Sequence, residues 1–154
     1  MLTYNLLLLG HILASAALVG GTLLLQVLAL RATGPRAPRD ELVALARQAG
    51  WVGPRVFLPA AVVIAVTGAG LAARLHVALG EPFILLGLAV LLAASATGPL
   101  FLAPESRRVG RLIAAQGPAC DEVERRVRRI FLVSRVELSL LLVALAGMVL
   151  RPTL

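Results

Sequence analysis

Polar side chains in this chain are gathered between four long apolar runs. Asn5 to Leu30 contains no charged residue, and Val56 to Leu75 has only Arg74 near its end. Pro82 to Pro104 is uncharged between Glu81 and Glu105, whereas Ile130 to Leu150 contains Arg135 and Glu137. A helix of roughly 20 residues crosses a hydrocarbon layer of about 30 Å. Each run therefore predicts one membrane-spanning helix, with boundaries near 5–30, 56–75, 82–104 and 130–150. The expected fold class is all-α, a four-transmembrane-helix bundle forming one integral membrane domain over residues 1–154. The first run reads as retained, because Met1 to Asn5 lacks the basic side chains of a secretory leader and the apolar run continues past Ala17.

The connecting segments have patterns of their own. Asp40 is placed to cap a short helix with Leu42, Leu45, Ala46 and Ala49 on one face, and Trp51 follows as an aromatic anchor at the membrane interface. Gly117 and Pro118 interrupt the later connection. Beyond them Asp121, Glu122 and Glu124 mark a helix start, and Val123, Val127 and Ile130 continue at helical spacing. The fourth helix is thus expected to begin near Pro118 and to leave the membrane as a basic stalk. No internal repeat or low-complexity tract is evident.

Composition sharpens the class. The chain is 59% hydrophobic and 15% charged, where a water-soluble domain is about a quarter charged, so water-soluble catalysis is set aside. A net charge of +7 would elsewhere suggest nucleic acid, but here the arginines lie between apolar runs. The expected contacts are the lipid bilayer and its anionic heads, with no nucleic acid. Twelve arginines fall in the two longer connections, Arg31 to Arg55 and Glu105 to Arg129, against Arg74 and Arg151 on the other side. That bias places two basic loops in the cytoplasm and the N and C termini outside, in a bacterial inner (plasma) membrane. Cys120 has no second thiol with which to pair.

Helices in lipid associate through small residues and a few polar contacts. Ala16 with Gly20, Ala17 with Gly21, Gly68 with Ala72, and Ala94 with Gly98 are expected to mark helix contacts. Pro59 and Pro99 are expected to bend the second and third helices.

Candidate chemistry is sparse. His11, Ser15, Thr22 and Gln26 fall on one stripe of the first helix, which is expected to face the bundle interior. His11 lies about 10 Å below the outer boundary and needs a partner. Two readings stay open, a bond to a neighbouring carbonyl or hydroxyl, or axial ligation of a metal, with haem b as the cofactor. His76 and Met148, on the same side of the membrane, are the candidate second ligands. Near the inner face Glu137 is expected to be buried against Arg55 or Gln26, with Arg135 pointing elsewhere on the same helix. The expected buried polar set is Ser15, Thr22, Gln26, Arg55, Arg135 and Glu137. No GxSxG elbow, phosphate loop or HExxH helix is present.

The first-helix sequence LLLLGHILASAALVGG with His11, the second-helix sequence LPAAVVIAVTGAGL and the terminal MVLRP resemble a family of four-helix integral membrane proteins of unknown function. In layout that family is similar to the copper-resistance D domain and to HemJ-like membrane proteins. The HemJ-like resemblance implies haem binding and protoporphyrinogen oxidation, using a first-helix histidine and a third-helix lysine. Only the histidine carries over, to His11, since this chain has no lysine. The copper-resistance resemblance implies copper passage, for which Met1, Met148 and Cys120 are few soft ligands. Three functional classes follow: an accessory or structural partner in a membrane complex or homo-oligomer, a haem-binding redox protein, and a copper-handling protein. The first explains most of the sequence without a cofactor, and no enzymatic activity is expected of it.

Overall fold

The computed structural model describes residues 1–34, 39–117 and 120–150, without the side chains of residues 39, 40, 42, 43, 46 and 47. It is all-α. The elements are α1 (Leu2–Ala32), α2 (Arg39–Val52), α3 (Leu58–Leu75), α4 (Pro82–Thr97), α5 (Ala103–Gln116) and α6 (Asp121–Leu150). Four continuous helices, Leu2–Ala32, Gln48–Leu75, Pro82–Gln116 and Asp121–Leu150, are long and apolar enough to cross a membrane. This is a multi-pass membrane bundle.

The second and third of these run well past the apolar segments that announced them. Each apolar part joins an amphipathic part through a π turn, Gly53–Phe57 between α2 and α3 and Gly98–Leu102 between α4 and α5. In the wide turns the Leu58 N–H donates to the Gly53 carbonyl, and the Ala103 N–H to that of Gly98, five residues back. Both lie in a Gly-Pro-x-x-x-x-Pro frame, Gly53-Pro54 to Pro59 and Gly98-Pro99 to Pro104. A proline inside a helix has no N–H to give, and its ring presses on the carbonyl four residues earlier. One extra residue in the preceding turn relieves that crowding and keeps the helix unbroken. Of the two prolines expected to bend helices, Pro99 lies within the second wide turn and Pro59 just beyond the first.

The later connection is a helical hairpin. α5 and the first turns of α6 close on Val109, Val123 and Val127, with Val109 and Val123 fully buried. α6 begins at Asp121, and Pro118 lies outside the described residues. Of the face proposed for the first connection, Leu45 is buried against Ala29 and Ala32. The side chains of Asp40, Leu42 and Ala46 lie outside the described residues.

The chain packs as two similar halves. α1 lies along α3 and α4 along α6, and the halves meet through α1 with α6 and α2 with α5, while α3 and α4 touch only lightly. Ala14, Leu18, Ala60, Ala61, Val90, Leu91, Leu141 and Ala144 form one core shared by all four spans. Several of these are alanines, as expected where close backbone approach holds helices together in lipid. The small pairs divide. Gly68 sits under His11 and Ala72 is buried, but Ala16, Ala17 and Gly20 face outward, and none of the described residues lies within 4 Å of a Cβ placed on Gly20 or Gly98.

Candidate functional site

Two polar groups inside the spans have the makings of chemistry, and they lie in opposite halves of the bundle. His11 belongs to the α1/α3 seam. Gly68 lets the backbones approach there, since a Cβ on it would stand 3.2 Å from His11 Cε1. His11 Nδ1 is 3.0 Å from Thr67 Oγ1, and Thr67 in turn donates its hydroxyl to the Val63 carbonyl at 2.5 Å. A hydroxyl has one hydrogen. With that hydrogen on the Val63 carbonyl, Thr67 Oγ1 is left to accept from the His11 ring.

The residues expected beside it are elsewhere. His76 ends α3 in the left-handed conformation (φ 53°), where the Val77 N–H closes back on the Ala72 carbonyl at 3.0 Å, and it is exposed. Met148 belongs to the α4/α6 seam, with its terminal methyl where a Cβ on Gly87 would clash. Cys120 precedes α6 at the far end of that helix, and its Sγ lies 3.0 Å from Gln116 Oε1. Among the described residues no three His, Cys, Asp or Glu side chains gather to hold a metal ion. Among the described residues, His11, His76, Met148 and Cys120 therefore lie apart from one another.

Along α1, Ser15 is half-buried, and Thr22 and Gln26 are buried. Thr22 donates to the Leu18 carbonyl at 2.7 Å and Gln26 Nε2 to the Phe131 carbonyl at 3.2 Å. Gln26 Oε1 is buried with no hydrogen-bond partner among the described residues. The expectation that Arg55 and Arg135 are buried is corrected: both are exposed. The Arg55 guanidinium lies 5.0 Å from the Trp51 ring centroid, one turn away, which takes it from the bundle interior. Arg135 projects from the side of α6 nearly opposite Glu137.

Glu137 is half-buried and accepts neither Gln26 nor Arg55. It lines an open groove of about 250 Å3 between α4 and α6, walled by Ala93, Ala94 and Thr97 on one side and Leu132, Val136 and Leu140 on the other. Glu137 makes no hydrogen bond or ion pair among the described residues.

One charged cluster was not anticipated. Glu105, buried at the junction of span and hairpin, receives Arg108 and Arg126 at 2.9 Å each, and Arg126 also binds Glu122 at 2.8 Å. The Arg126 guanidinium, then that of Arg108, holds the Glu105 carboxyl below its usual range against the opposing effect of burial. The spacings Glu105 to Arg108 and Glu122 to Arg126 signal the local pairs; only the folded hairpin brings Glu105 to Arg126.

Compared with known proteins, the chain matches no family model, no curated protein and no solved structure.

Proposed function

We propose that the protein is an accessory subunit of a membrane complex, working through helix contacts with another membrane protein or with further copies of itself. We place it in a bacterial inner membrane, with both termini outside and the α2/α5 lobe in the cytoplasm, from the bias of its arginines. One observation carries the reading. The outer face of α1 presents Leu13, Ala16, Gly20 and Leu24 in line, all exposed, with open space over Gly20. Small residues on a helix face permit the close approach on which association in lipid depends. On the inner side of the same helix Gly10 meets Thr67 and Gly21 meets Phe57, so the packing within the chain leaves Gly20 unused.

Gly20→Leu tests this, because a Cβ there meets none of the described residues and the fold should tolerate the change. Cross-linking in native membranes should give a discrete adduct for the wild type, and the variant should lose it while keeping its expression and gel-filtration behaviour in detergent. An adduct of unchanged yield would remove this face from the proposal.

A rival haem-binding reading rests on His11, the one histidine inside a span. A Soret band in protein made with haem supply, lost in His11→Ala, would favour it. The seating of the ring on Gly68 and the scattering of His76 and Met148 support the accessory reading instead.

A further inference from the structure

The α4/α6 groove is remote from the α1 face just described, and its chemistry is different. Glu137 lies seven residues inside the span that starts at Ile130, about 10 Å deep at 1.5 Å per residue. A carboxylate at that depth needs a counter-charge or a donor, since hydrocarbon supplies neither. Arg135 points away, α4 brings no ionisable side chain to the groove, and Gln26 is committed to the Phe131 carbonyl. The walls are apolar, with small residues Ala93 and Ala94 on the α4 side and larger ones, Leu132, Val136 and Leu140, on the α6 side, and the mouth is open. Thr97 adds a hydroxyl oxygen whose hydrogen is given to the Ala93 carbonyl at 2.8 Å, leaving its lone pairs to accept.

We propose that this groove binds a lipophilic ammonium cation, with Glu137 as its counter-charge, Thr97 as a second acceptor and the apolar walls against its tail. A primary ammonium has three donors, so it can serve the carboxylate and the hydroxyl together. About 250 Å3 is small beside a drug-sized site, and it takes the head and first part of a chain while the rest leaves through the open mouth into lipid.

The test uses the whole protein in nanodiscs of zwitterionic lipid, with decylammonium as the probe, decanol as its neutral counterpart and empty discs as background. Wild type should bind decylammonium saturably, one per chain, and at least about tenfold more tightly than decanol. Glu137→Gln should weaken decylammonium binding by about tenfold or more and leave decanol unchanged. Ala94→Leu narrows the groove while keeping the carboxyl group and should weaken binding too. This second variant keeps the proposal testable should Glu137→Gln fail to fold. Equal binding by Glu137→Gln, equal binding of decanol, or no saturable binding by the wild type would each overturn it.

Discussion

Glu105 shows how a residue read as the edge of a span becomes a structural centre. Its carboxyl is almost enclosed, and two guanidiniums stand 2.9 Å from its oxygens. Because the folded pKa is depressed, the stabilisation is fully present above the ordinary carboxylate value. It starts to go as the pH falls past about 4.3 and is complete in its loss below the depressed folded value. Glu105→Gln should cost about 2 kcal/mol at pH 7, since a bond to a charged group is replaced by a weaker one. Thermal unfolding from pH 7 to pH 3 should then show the variant lacking this part of the acid destabilisation; identical pH profiles would refute the assignment. The sequence indicated that His11 faces inward, because helical spacing ties it to Thr22 and Gln26. Its bond to Thr67 was not legible, since nothing along the chain reports which helix lies opposite. The same blindness explains Glu137: a partner was expected from equal depth, and depth says nothing about direction.

At the scale of elements, the four spans were readable from apolar length alone, and their ends were not. Hydropathy falls where α3 gives way to α2 and α4 to α5, but the helices continue, because amphipathic sequence is still helical sequence once it packs on a neighbour. Taken singly, each proline signals a bend. Their matched spacing, Gly-Pro followed five residues later by a second proline, is the signal that belongs to the wide turns. Pro104→Ala removes the reason for the extra residue between α4 and α5. A regular turn there would rotate α5 by about 100° relative to α4 and carry Val109 off Val123. Hydrogen exchange at the Val109 and Val123 amides should accelerate by about tenfold or more, even though alanine is the better helix former. Unchanged protection would mean that the wide turn persists without its proline.

In the molecule taken whole, the largest fully buried side chains among the described residues, Val109 and Val123, lie outside the apolar layer, where α5 folds back on α6. The side of the membrane on which that hairpin lies can be read from Cys120, the single cysteine, partly exposed beside the α6 start. An impermeant maleimide should label it in inverted vesicles and leave it untouched in intact spheroplasts; the opposite pattern would reverse the proposed orientation. The division into halves has a consequence for how the protein can be made. A membrane helix is stable on its own before it finds neighbours, so a covalent link matters only where packing cannot bring partners together. Here the link between halves is the short stretch from His76 to Glu81, and the helices it joins barely touch, while α1 with α6 and α2 with α5 supply the contact. A gene divided at Leu79 should therefore yield two polypeptides that find each other in the bilayer and co-purify, each protecting the other from degradation.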